Sequence, residues 1–306
     1  MSKATLTYAE QLDLLISRGL IVNDEAHALH CLANYNYYRL SIYWRCFTES
    51  GDHDHFKAGT TFEQIWELYN FDRGLRKLVN EACKRLEISA RSRWAYELGQ
   101  EYGPQAYEDP AVFNSAQNHT KLLAGLDAHF AQSKEDFVLH YKSKHQHRPE
   151  IWIVVELFDF GRFRYFYNAT KRAQTRKRIA DHYELPEATF CSLLTVCNYL
   201  RNICAHHSRL WNRKLTYKLT LPEKKPPTLI PSLRYSPDDD ENESRKIYNS
   251  LVILSHLNQI IEPQGDWTQR LITHLQTLPP ELIPDMGFPA DWQTRDWVQQ
   301  VIACEG

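Results

Sequence analysis

Residues 61–99 read TFEQIWELYNFDRGLRKLVNEACKRLEISARSRWAYELG. Phe62, Ile65, Trp66, Tyr69, Leu75, Leu78, Val79, Ala82 and Leu86 recur at steps of three and four, the period of an amphipathic helix. Thr60 or Thr61 stands where a helix cap belongs. A continuous helix here would span roughly 55–60 Å at 1.5 Å per residue, with a bend expected at Gly74.

The same period extends outward. It predicts helices over Thr7–Arg18, Asp24–Cys46, Asn114–Lys142, Ile151–Tyr167, Lys171–Tyr183 and Glu187–His206, then Ser244–Ile261 and Asp266–Leu278. Strand signals are confined to short alternating pieces around Leu215 to Leu221, which could pair as a ribbon. Only Pro104, Pro110, Pro149 and Pro186 interrupt the first 220 residues, each where a helix would start or stop. The other prolines lie beyond Leu221. The reading is an all-α protein: a helical domain over 1–220, a Pro-rich then acidic exposed linker over 221–243, and a helical appendage over 244–306 packed on the first.

Hydrophobic residues are 43% and charged residues 24% of the 306, which excludes collagen-like and wholly disordered chains. No apolar run reaches the ~18–20 residues of a membrane helix, and Met1 to Leu15 carries acids in place of a leader pattern. The seven cysteines (31, 46, 83, 191, 197, 204, 304) form no Cys-x-x-Cys pair, which fits reduced thiols in the cytoplasm. The histidine pairs 53/55 and 145/147 lack a metal-ligand frame. No phosphate-cradling Gly-rich loop and no Gly-x-Ser-x-Gly elbow is present, so neither a metal nor another cofactor is expected.

The net charge of −2 conceals a division. Gly161 to Pro222 holds twelve Lys or Arg against Asp181, Glu184 and Glu187, a local charge of +9, and leaves −11 for the rest, helped by the cluster Asp238, Asp239, Asp240, Glu241 and Glu243. Such segregation points to an anionic partner. Lys171, Arg172, Arg176, Lys177 and Arg178 fall within eight residues, and Arg209 and Arg213 follow downstream; these seven are the candidate phosphate-binding cations, and the motif between them, read below, makes them candidate RNA contacts. A second basic group (Arg73, Arg76, Lys77, Lys84, Arg85, Arg91, Arg93) lies along the long helix, with Glu87 placed to pair with Arg91. The helical spacing of the aromatic run Tyr35 to Phe47 assigns it to the core rather than to base stacking.

Chemistry concentrates in Arg201-Asn202-Ile203-Cys204-Ala205-His206-His207. On a helical projection Leu193, Val196, Cys197, Leu200, Ile203 and Cys204 form one apolar stripe. Asn202 and His206 lie opposite it, one turn apart, with Arg201 flanking, while His207 is expected to point back into the apolar face. An imidazole beside guanidinium groups suits a phosphodiester.

Arg201-Asn202-x-x-x-His206 resembles the Arg-Asn-x-x-x-His motif of the HEPN superfamily of RNases. Its setting is similar to the bacterial abortive-infection (Abi-like) proteins of the AbiD/AbiF type. The resemblance runs from about residue 6 to 215. It includes Leu15 to Leu20, Asn36-Tyr37-Tyr38-Arg39-Leu40-Ser41, Leu68-Tyr69-x-Phe71-Asp72-x-x-Leu75-Arg76, Glu87-Ile88, Arg91, Pro149-x-Ile151-Trp152, Phe160-Gly161 and Leu200 to Asn212.

The resemblance implies a HEPN-like helical domain with additional N- and C-terminal helices, paired as a homodimer so that two motif copies form one site. It further implies a metal-independent endoribonuclease toxin of phage defence, with Arg201, Asn202 and His206 catalytic. In some relatives a small noncoding RNA is the inhibitor. Certain HEPN toxins carry a modifiable tyrosine two residues after the histidine, where this chain has Ser208. A non-catalytic RNA-binding protein is the alternative reading.

Overall fold

The computed structural model describes residues 5–235 and 245–302; the acidic cluster at 238–243 and Cys304 lie outside the described residues. The architecture is all-α, organised around one helix. The described helices are α1 (Tyr8–Ser17), α2 (Glu25–Tyr35), α3 (Tyr37–Trp44), α4 (Phe62–Tyr102), α5 (Ala116–Gln132), α6 (Asp136–Lys144), α7 (Ile151–Val154), α8 (Phe160–Ala169), α9 (Ala173–His182), α10 (Glu187–Ala205), α11 (Tyr248–Ile261), α12 (Trp267–Leu275) and α13 (Asp296–Ile302). The small sheet lies not at 215–221 but earlier, where β1 (Thr48–Glu49) pairs antiparallel with β2 (Asp52–Phe56).

α4 runs for 41 residues without interruption. Thr61 and Gln64 form a capping box at its start, satisfying two otherwise unpaired N–H groups. Leu75, Val79, Cys83, Leu86, Ala90, Trp94 and Leu98 are all fully buried. α3, α7, α9, α10, α11 and α12 pack against α4, so it is the axis of the molecule. A single apolar cluster runs from Leu12 to Val298.

Gly74 does not break α4; it makes room. A Cβ there would collide with the His274 ring, which stacks on Phe71 at 4.6 Å and bonds the Phe71 carbonyl through Nε2 at 2.8 Å. The C-terminal helices are further clamped by Arg270 on Glu81 (2.5 Å), Arg85 on Glu262 (2.7 Å) and the Trp267 indole N–H on the Leu78 carbonyl (2.9 Å).

Three expected helices are divided. Asn36, at φ 61, separates α2 from α3. Residues 133–135 separate α5 from α6, and a 3-10 turn at Val155–Leu157 with residues 158–159 separates α7 from α8, where Asp159 caps the Arg162 N–H. The stretch at 215–221, whose strand signal is too weak to build a sheet on, forms no ribbon; its Leu215 N–H donates to the Arg245 carbonyl (2.8 Å), and Leu215 and Leu219 are buried. The linker is not wholly exposed: Leu229, Ser232 and Leu233 are buried, and the Ser232 carbonyl accepts from the Tyr248 hydroxyl at 2.7 Å. Leu229 and Leu233 flank a short 3-10 turn at Ile230–Ser232 and let this proline-rich stretch bury apolar surface without a long helix.

Gly74→Ala should lower stability by about 1–3 kcal/mol through overpacking against His274, although alanine's helix propensity alone would favour it by about 1 kcal/mol. Urea denaturation measures this, and an unchanged or raised midpoint would show that the ring gives way freely.

Candidate functional site: the end of α10

α10 starts after Pro186, whose fixed φ suits a helix entry, and buries Leu193, Val196, Cys197, Leu200, Ile203 and Cys204 against the core as the periodicity expects. It ends one residue before His206. The His206 N–H bonds the Asn202 carbonyl (3.0 Å), the His207 N–H bonds Cys204 (3.1 Å) and the Ser208 N–H bonds Ile203 (3.0 Å). With His207 at φ 55, the last two bonds make a Schellman turn, satisfying carbonyls the helix would leave open. Glycine is the usual residue there; histidine tolerates the left-handed region better than most side chains.

The left-handed turn overturns one expectation. His207 does not point into the apolar face but is exposed, because a projection at 100° per residue loses meaning once the helix has ended. Asn202 and His206 are exposed, and Arg201, half-buried, donates to the Asn202 side-chain oxygen at 3.3 Å. The three motif residues therefore occupy the solvent-facing last turn of α10. Arg201 also faces Glu87 of α4: burial pushes the Glu87 carboxyl above its usual range, against the pull of Arg91 and Arg201. The anticipated Glu87–Arg91 pair is present at 3.8 Å.

The turn is held from two sides. Arg39 of α3 donates to the His207 carbonyl (2.8 Å), and Arg209 donates to the Ile42 carbonyl (3.3 Å). Burial lowers the Arg209 guanidinium below its ordinary value while Asp72 and Tyr43 pull it back up. Beneath them Asp72, fully buried on α4, accepts from the Leu210 N–H (3.0 Å), the Trp211 N–H (2.6 Å), the Tyr43 hydroxyl (2.6 Å) and Arg76. Neither Asp72 nor Arg39 was given a role from sequence. The available signal was a carboxylate and a guanidinium four residues apart beside the apolar stripe of α4.

The basic segment before the motif is largely neutralised. Arg172 pairs with Glu101; Arg178 with Glu97 (2.7 Å) and Glu101 (2.5 Å); Arg176 with Glu187 (2.8 Å); and Lys177 with Asp181 (2.6 Å). The arginine bonds staple α9 and its start to α4 and α10, while the Lys177 pair lies within α9. Lys171 is exposed, and Arg213 donates to the Tyr199 hydroxyl (3.3 Å) and the Arg209 carbonyl (2.9 Å). Arg209 and Arg213 thus stay with the motif, while Arg172 and Arg178 serve the contact with α4 and Arg176 the contact with α10.

Burial would raise the Glu101 carboxyl, but hydrogen bonds from Thr175, Arg178 and Arg172 outweigh it and hold it at about 2, against an ordinary 4.5. A depressed carboxylate contributes stability that is present above its unfolded value and lost as pH falls through its folded one. Glu101→Gln should therefore lower stability at neutral pH and flatten the loss between about pH 4.5 and 2. Thermal unfolding across that window checks this; parallel profiles for variant and wild type would contradict it.

No curated protein and no solved structure matches the chain. The family model described as Abi-like protein matches residues 30–212, from within α2 to the turn after α10. That span contains α3, all of α4, the Asp72 anchor and the exposed motif turn, and it covers more than half of the chain: the protein belongs to the Abi-like family.

Proposed function

We propose that the chain is a metal-independent endoribonuclease of the HEPN type, acting as a toxin in phage defence by abortive infection. The observation that carries the reading is the exposed last turn of α10, where the Arg201 guanidinium is hydrogen-bonded to Asn202 with His206 one turn on. Family membership supports the biological setting.

In this mechanism a ribose 2′-OH attacks the adjacent phosphorus. The 2′-O–P bond forms, the P–O5′ bond breaks, and a base takes the 2′ proton while an acid protonates the leaving 5′ oxygen. His206 performs one or both transfers. Arg201 stabilises charge growing on the phosphoryl oxygens, and Asn202 orients Arg201. Products carry 2′,3′-cyclic phosphate and 5′-OH ends. In EDTA, wild type should cleave an RNA pool and leave these ends, while His206→Ala, purified identically, should lose at least a hundredfold in rate. Binding by both proteins without cleavage by either would favour the non-catalytic RNA-binding reading, and equal cleavage by both would remove His206 from the mechanism.

One motif on an open surface motivates a homodimer in which two copies of the α10 end face each other about a twofold axis. Light scattering coupled to size exclusion should give twice the 36.0 kDa chain mass. A strict monomer with and without RNA would sink the composite site.

A further inference from the structure

On the other side of α3 from the motif turn lies a groove of about 780 Å³, walled by α1, the end of α2, α3 and β2. Its volume is in the usual range of ligand sites, about 300–1,000 Å³. The helical spacing of the Tyr35 to Phe47 run implied core, and Leu40, Tyr43 and Trp44 are indeed buried, but Tyr38 is 73% exposed. Tyr8 of α1, 51% exposed, lines the same groove. Tyr38 meets Tyr37 nearly at right angles (78°), so at most one face of its ring is engaged there.

We infer that this groove binds a nucleobase of single-stranded RNA, stacked on Tyr38 and Tyr8, adjacent to the strand that the motif turn engages. The inference rests on the ribonucleolytic reading of that turn. Three features of the wall select a nucleotide over an apolar side chain. Amides line it, among them Asn34 and Gln11, side chains that can both donate to and accept from the edge of a base. Among the described lining residues the one carboxylate, Asp54, is neutralised by Arg18 at 2.6 Å, leaving exposed Arg45 to face a phosphate. Stacking on tyrosine is sequence-tolerant, since every base has a π-face.

Position supplies the connection to the site. Tyr38 and Ser41 of α3, with Arg45 just after it, line the groove, while Arg39 and the Ile42 carbonyl on that helix hold the motif turn through His207 and Arg209. A helix with its side chains is about 10–12 Å across, a distance that a single strand spans in a few nucleotides. A strand crossing α3 can place a base in the groove while a phosphate reaches His206.

The test uses the full chain carrying His206→Ala, so that RNA is not consumed, titrated with a single-stranded RNA containing 2-aminopurine. Binding should quench the probe. Tyr38→Ala should abolish the quenching and weaken affinity about tenfold, whereas Tyr38→Phe should retain both. Thermal unfolding should be unchanged in both, because the ring is exposed. Equal quenching and affinity in Tyr38→Ala, or RNA that does not bind at all, overturns the groove as a base site and leaves it a protein-docking surface. Cleavage assays on chains with His206 intact separate the two readings. If wild type cuts RNA and Tyr38→Ala has the same KM, the groove inference alone falls. If wild type binds with Tyr38-dependent quenching yet never cuts, the groove stands and the ribonuclease falls.

Discussion

The carboxylate of Asp72 is the point on which the candidate site depends. A buried carboxylate is tolerable only when its charge is paired and its lone pairs are filled. Arg76, the Tyr43 hydroxyl and two backbone N–H groups meet that demand together. The donors come from α3, from α4 itself and from the chain immediately after the motif. Satisfying one buried charge therefore fixes where the polypeptide must return after α10, and the left-handed His207 is part of that route. Removing any donor would leave polar atoms unpaired in the core, a larger penalty than the loss of a surface hydrogen bond.

Charge elsewhere is used in the same inward direction. The +9 segment invites a reading as an open anion-binding face, yet Glu97 and Glu101, on the distant α4, reach α9 and pair with Arg172 and Arg178. Net charge over a stretch of sequence counts only neighbours in the chain, and these partners lie about seventy to eighty residues away. The cations nearest the motif, Arg209 and Arg213, are bonded to carbonyl and hydroxyl oxygens instead of carboxylates, so their charge is not cancelled by those bonds.

This contrast marks what sequence can carry. The long helix, its cap to within one residue at Thr60 or Thr61, and the apolar stripe of α10 were legible because they follow from a local period and a local hydrogen bond. The splits at Asn36 and near Asp159 were not, since an apolar pattern can continue across a break when both pieces pack on the same core. The motif residues were legible as a spacing, and their place on the exposed end of α10 followed from it; the chemistry assigned to them is part of the proposal. His207 was misplaced because its direction is set by a turn closed by Asp72 and Arg39, residues more than a hundred positions away.

Exposure gives the site its final constraint. Electrostatic stabilisation of a phosphoryl transition state is strong where water is excluded and weak where it is not. Asn202 and His206 lie open among the described residues, so for the proposed chemistry whatever excludes water would come from elsewhere, a second copy or the RNA itself. On the proposed ribonuclease reading, an active centre assembled only on association would make the isolated chain a poor catalyst. For the toxin proposed above, that would be a physical basis for control: anything that occupies the end of α10 would keep the two proposed halves apart.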